Sequence, residues 1–263
     1  MKRIQAFEFN ELNECPAFLR DSIVEILGNG IRWGRYFDPV APFFKNFCER
    51  SNSYSFIDLC SGTAEPLAAL VDGMQQNTEI ENIHFIASDL FPKVHAMKRV
   101  VHEYPENISM IYEPIDATNV PEEHDRPGRT IINAFHHFPT DLAQKIIENS
   151  VKKKRAIFIL EAFPRDMKSF ISFFPKMILS FLAFPFLTQK NRLIKIFFSF
   201  FVPIIPVIGT FDALISLFRI HDKEELMEMA APYKDIYDWE YHQIPYSKDS
   251  KWGKAIIFIG IPK

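Results

Sequence analysis

Residues Phe56-Ile57-Asp58-Leu59-Cys60-Ser61-Gly62-Thr63-Ala64-Glu65-Pro66 constrain the fold more than any other stretch of this chain. The apolar run from Tyr54 to Ile57 reads as a buried strand. It ends in an acid, passes through a tight turn of small residues, and enters a helical pattern from Pro66 to Met74. Small residues let a backbone pass close to a ligand, and a helix N-terminus offers free N–H groups. Two further apolar runs also end in acids: His84 to Ser88 precedes Asp89, and Ser109 to Ile115 precedes Asp116. Carboxylates at the ends of three successive strands describe a nucleotide-like site along the open edge of a parallel sheet.

Such a sheet needs a large core, and 263 residues suffice for one domain with an elaborated cap. The 27 Phe, against 8 Tyr and 3 Trp, are an unusual supply of apolar bulk. A net charge of −3 argues against a nucleic-acid partner. Cys15, Cys48 and Cys60 have no paired spacing, which fits free thiols in a reducing compartment, with no disulfide framework and no metal. The start, Met1 to Glu8, lacks the apolar core of a signal peptide, so a cytoplasmic protein is expected.

Residues 1–50 are helical in pattern and divided by Pro16, Pro39 and Pro42; they read as a helical lid ahead of a main domain over 51–263. Strands and helices then alternate: strand 54–59, helix 66–75, strand 83–88, a helix after Pro92, strand 108–113, strand 129–134, helix 140–152 with Thr140 as cap, and strand 156–162. That alternation means a parallel sheet with helices on both faces. The pattern breaks over 164–221, where 168–211 form a hydrophobic insertion carrying 11 Phe. It resumes with a helix at 222–232, capped by Asp222, and two closing strands at 237–243 and 255–261.

On these motifs the chain resembles the class I S-adenosylmethionine-dependent methyltransferases. Their first motif, an acid, a Gly-rich turn and a helix, stands here as Asp58-Leu59-Cys60-Ser61-Gly62-Thr63-Ala64, with the small residues Cys60 and Ala64 replacing two glycines. The resemblance implies an α/β, Rossmann-like, doubly wound seven-stranded sheet with an antiparallel C-terminal hairpin. The lid and the hydrophobic helical insertion after strand five are additions to it. It implies S-adenosyl-L-methionine as cofactor, with Asp58 near the methionine amino group. Cys60, Ser61, Gly62, Thr63 and Ala64 would form the turn, Asp89 and Leu90 would lie at the ribose, and Asp116 and Ala117 at adenine. Asn133-Ala134-Phe135-His136-His137-Phe138 would lie beside the methyl donor and acceptor. A dinucleotide-binding turn competes for the same motif. Cys60, Ser61 and Ala64 suit it poorly, and Glu65 would set a negative charge beside the phosphates.

A local role competes at each position: a turn cap for Asp58, a helix cap for Asp89, a solvated loop acid for Asp116. His137, or else His136, is the candidate to take a proton from the acceptor, since imidazole titrates near neutrality. Transfer by alignment alone needs no base. Glu161 and Arg165 are candidates for orienting the substrate, or for a salt bridge at the sheet edge. Tyr36, Phe138 and Asp212 are further substrate candidates.

Between Asp166 and Asp212 there is no acidic residue, and the charges are Lys168, Lys176, Lys190, Arg192 and Lys195. The apolar runs Met177–Leu187 and Ile196–Ile208 are each shorter than the ~20 residues of a spanning helix and contain Pro185, Pro203 and Pro206. A spanning hairpin is therefore not expected. The insertion reads as a cap over a hydrophobic pocket, a peripheral contact at the inner face of a membrane through 168–211, a homodimer interface, or an extra layer of core. The whole points to methyl transfer, onto oxygen or nitrogen, of a small lipophilic acceptor. The alternatives are a non-catalytic methyltransferase-like protein that binds lipid or membrane, and an NAD(P)-dependent oxidoreductase.

Overall fold

A computed structural model describes residues 1–12, 14–78, 82–188 and 191–263. Seven strands form one sheet: β1 (Ser55–Asp58), β2 (His84–Ala87), β3 (Ile108–Met110), β4 (Gly128–Ile132), β5 (Ala156–Glu161), β6 (Tyr237–Pro245) and β7 (Lys254–Pro262). Their order is β3-β2-β1-β4-β5-β7-β6. The first five are parallel, whereas β7 runs antiparallel between β5 and β6. The order reverses between β1 and β4, the place where open α/β sheets leave a crevice beyond their carboxyl ends.

The helices are α1 (Ala17–Trp33), α2 (Ala41–Ser51), α3 (Glu65–Asn77), α4 (Val94–Glu103), α5 (Thr140–Lys152), α6 (Met167–Leu187), α7 (Arg192–Ile196), α8 (Ile204–Arg219) and α9 (Lys223–Ala230). Alternate strand residues feed two cores, as the period of a strand requires. On one face Phe56, Phe85 and Phe158 meet Phe44 of α2, with ring centroids 4.9–5.7 Å apart. On the other, Ile57, Ile131, Ile157 and Ile159 pack with α5 and α9. Gly128 is where β4 makes room for this packing, since a Cβ there would lie 2.2 Å from the Phe56 ring. Much of the phenylalanine is thus core of the sheet. α2 belongs to that layer, and of the N-terminal helices α1 packs beside α3, α6 and α8.

Several expected boundaries move. β3 is three residues long, so Asp116 does not end it. The chain runs on beside β2, with Ile111 N–H donating to Ala87 O and Ile115 N–H to Asp89 O, before the Asp116 turn. Thr140 opens α5 as its first residue and gives no side-chain cap; Pro139 precedes it. Asp222 does cap α9, in a reciprocal box with Glu225. The prolines of α6 do not divide it as expected, whereas Pro203 stands at the break in the second apolar run. α6 runs 21 residues through Pro175 and Pro185, held by burial of Phe170, Phe173, Met177, Phe181 and Phe184 along its inner side. Met167–Phe186 is therefore long and apolar enough to cross a membrane, though 44% of it is buried in the protein. The second apolar run is broken: Arg192–Phe201 and Ile204–Arg219 meet at 77°. Lys190 lies outside the described residues.

Candidate active site

The turn after β1 is built from left-handed backbone. Cys60, Gly62 and Ala64 have φ of 63°, 57° and 62°, a region costly for residues with a Cβ. Strand contacts hold it there. Leu59 N–H donates to Thr130 O, Ser61 N–H to Ser88 O, and Ser88 N–H to Asp58 O. Gly62 N–H donates to Asp89 Oδ2 at 2.8 Å, and Phe91 N–H to Asp89 Oδ1 at 2.9 Å. Asp89 is only half-buried, so the carboxylate that fixes the turn also faces the crevice. A Cβ on Gly62 would meet nothing within 4 Å. The turn therefore presents an open, closely approachable backbone.

Asp58 takes a different part. It is 1% exposed, and its oxygens accept from Ser61 Oγ (2.6 Å) and Thr130 Oγ1 (2.6 Å). Burial pushes its carboxyl up to about 7, against the two hydroxyls, which pull it down. It is an internal brace of the turn, the local role weighed for it beside a place near the methionine amino group. Thr63 is buried with an unpartnered hydroxyl. Leu90 is exposed beside Asp89. Asp116 accepts from Thr118 N–H and Oγ1 in a local turn, and Ala117 is buried in the core. Asn133, with φ 54°, ends β4 and accepts from Ala162 N–H.

The segment after β4 gathers a charged cluster. His136 is buried, with its peptide N–H donating to Glu161 Oε1 and its Nδ1 2.8 Å from Glu161 Oε2. Glu161 thus pairs with His136 and not with Arg165. His137 Nδ1 lies 2.8 Å from Glu11 Oε1, and the two imidazoles are 4.3 Å apart. Burial lowers the His137 pKa, but Glu8 and Glu11 overcome it and hold the ring's pKa above its ordinary value. Nδ1 of the ring is thus engaged by Glu11, with Arg219 Nη1 3.3 Å away. Arg219 closes the cluster, donating to both oxygens of Glu11 at 2.6 and 2.7 Å and lying 3.2 Å from Glu8 Oε1. Glu8, His136 and His137 each bring one donor atom within 4.8 Å of the others, a spacing open to a metal ion, but Arg219 already supplies the cluster with a cation.

Three substrate candidates are committed elsewhere. Tyr36 is buried between Phe173 and Tyr246 at 4.9 and 4.6 Å. Arg165 is buried against Asp222, Glu225 and the Ile220 carbonyl, locking the cap of α9. Asp212 accepts from the backbone N–H groups of Phe9 and Asn10, anchoring the N-terminal arm. Phe138 stays half-exposed next to the histidines, and its carbonyl accepts from Arg3 and contacts His221 Nε2. Glu8, Glu11 and Arg3 were absent from the expected site. Their one signal is the spacing of Glu8 and Glu11, which places both on one side of a single turn.

A cavity of about 930 Å³ lies between α1, the start of α4 and the α6–α7 corner, and reaches Thr63 of the turn. Phe18, Trp33, Val94 and Phe184 supply apolar wall. Its charges are largely paired: Lys195 Nζ is 2.7 Å from Glu25, and Arg99 2.5 Å from Glu65.

The seven-stranded fold with its antiparallel C-terminal strands is shared with solved structures. The plantazolicin methyltransferase BpumL, in complex with SAH, matches at a TM-score of 0.55 and 9% identity over 97% of this chain and 93% of that one. The chain has the class I S-adenosylmethionine-dependent methyltransferase fold. The plantazolicin methyltransferase BamL, in complex with a triazolic desmethylPZN analog and SAH, matches at 0.53 and 12% identity over 94% and 90% of the two chains. No family model matches the chain, and neither does any curated protein sequence. Within this methyltransferase fold the turn, Asp89 and the segment 133–138 all lie at the carboxyl ends of β1, β2 and β4.

Proposed function

We propose that this protein is a methyltransferase that uses S-adenosylmethionine to methylate oxygen or nitrogen of a small lipophilic acceptor. The observation that carries the proposal is the β1 turn, open at Gly62 and tied to Asp89, at the point where the sheet order reverses. The residues suit the cofactor. Asp89 offers a half-exposed carboxylate for ribose hydroxyls, and Gly62 lets the backbone approach. Glu65, buried at the first position of α3, is held by Arg99 and Arg32, a poor setting for a pyrophosphate and a tolerable one for a sulfonium. BpumL and BamL, whose structures contain SAH, support the same reading.

When bound, the cofactor supplies an electrophilic methyl group whose C–S bond breaks as the acceptor's lone pair forms the new bond. This chain's residues do the positioning. The turn and Asp89 orient the donor end, and the His136–Glu161 pair stiffens the segment that borders the reacting atoms. The cavity beside Thr63 has room for an acceptor with both apolar and polar parts. The acceptor's proton, lost from its own heteroatom, would pass to solvent through the open side of the cavity. Because His137 is paired with Glu11, alignment and not proton abstraction is the main catalytic device.

Calorimetric titration with S-adenosylmethionine and SAH is the test. Micromolar binding is expected, and Asp89→Ala should weaken it at least about tenfold while the protein stays folded by circular dichroism. A folded wild-type protein that binds neither ligand overturns the proposal, and one that binds NAD(P) instead moves it to the dinucleotide reading.

A further inference from the structure

The acid-free insertion presents a continuous apolar surface. Along α6 the outward positions Ile171, Pro175, Leu179, Leu182 and Phe186 recur every three or four residues, opposite the buried phenylalanines. Phe186 touches Phe200 with centroids 5.3 Å apart, which joins this stripe to the corner that follows α7. At that corner Leu193 is 81% exposed, Phe201 75% and Val207 63%, and Phe197 stacks on Phe201. The 77° bend between the two helices pushes this corner outward. Isolated exposed side chains are ordinary, but a patch of this extent marks an interaction surface.

Charge decides the occupant. From Met167 to Phe211 there is no Asp or Glu, while Lys168 and Arg192 are exposed; Lys176 turns its ammonium over the Tyr36 ring. Their basic charge stands out on a chain whose net charge is −3. Two copies meeting through this patch would bring like charges together with no acid to balance them. An anionic lipid surface offers both an apolar interior and headgroups of opposite sign. The inner side of α6 is spent on the core, so the helix has only one side to give to lipid.

We propose that α6, α7 and the corner at 197–202 form a docking surface for an anionic bilayer, lying in its interface. The inference does not depend on methyl transfer. The corner of the cavity lined by Phe184, Thr188, Asn191 and Lys195 belongs to the same segment, so docking would set the cavity mouth near the lipid.

Vesicle flotation of the full chain tests this. The protein should float with vesicles of phosphatidylcholine and phosphatidylglycerol in equal parts, and less with phosphatidylcholine alone. The double variant Leu193→Glu/Phe201→Glu should reduce flotation at least about tenfold, and Lys168→Glu/Arg192→Glu should reduce it on the anionic vesicles only. All four positions are exposed, so melting temperatures should hold near the wild-type value. A folded wild-type protein that leaves both vesicle types unbound overturns the proposal. So does equal binding to neutral vesicles with no effect of charge. A dimer seen by light scattering, dissolved by Leu193→Glu/Phe201→Glu without any vesicle binding, would assign the surface to a second copy.

Discussion

Asp58 shows what burial does to a single acid at the end of a strand. The sequence places it where a ligand contact is expected, but Ser61 and Thr130 turn its carboxylate inward. Its pKa rises from 3.8 to about 7 because burial disfavours the charge. Well below 3.8 both folded and unfolded chains hold the proton, and the group contributes nothing to pH dependence. As the pH rises through it, the unfolded chain releases the proton and the folded one keeps it, so stability falls. Beyond about 7 the penalty is complete, about 4 kcal/mol. Asp58→Asn removes the titration; its Oδ1 still accepts from one hydroxyl, and its Nδ2 donates to the other, which turns to accept. Thermal melts should therefore show the variant gaining on the wild type between weakly acidic and weakly alkaline buffer. A constant difference would mean that Asp58 is ionised in the folded protein. His221, with its pKa pushed down to about 4 by burial, acts with the opposite sign over much of the same range, so only the comparison between variant and wild type isolates Asp58.

Among the elements, α8 lies against α6 at Gly209, where a Cβ would come 2.1 Å from the Phe181 ring. Gly209→Ala should cost about 1–3 kcal/mol by overpacking, read as a lower denaturation midpoint. An unchanged midpoint would mean that the two helices separate freely. This contact was not legible in the sequence, because close approach of two helices leaves no local pattern. The strand–turn–helix unit at 56–66 was legible, since alternation along β1 and β5 sends Phe56 and Phe158 to one face and Ile57 and Ile159 to the other. The seven-stranded order and the antiparallel end followed from the same motifs by resemblance. The prolines in α6 misled, because tertiary packing carries the helix past them. β3 was read too long, because at the sheet edge its downstream residues bond to β2 only intermittently. At the site, Asp89 and Gly62 stood out from their position at strand ends. Arg165 and Asp212 did not betray that their partners lie in α9 and the N-terminal arm.

For the molecule as a whole, the first eleven residues act as a strap across the charged end of the sheet. Ile4 N–H donates to Phe218 O, Arg3 to the carbonyls of Phe138 and Arg219, and Glu8 and Glu11 hold Arg219. Deleting residues 1–11 would strand Arg219 and Asp212, which are 4% and 1% exposed, without their main partners. Removing one side of a buried pair costs about 3–5 kcal/mol, so the truncated chain should melt well below the full one, with faster hydrogen exchange at 135–138. Equal melting would show that the strap is dispensable. The strap also sets an order of assembly. Glu11 must find His137, 126 residues later, and Arg219, 208 residues later. During synthesis Glu11 is thus made long before its partners and waits for them. The charged cluster can close only after synthesis has passed Arg219, so a chain that stops before that residue cannot form it.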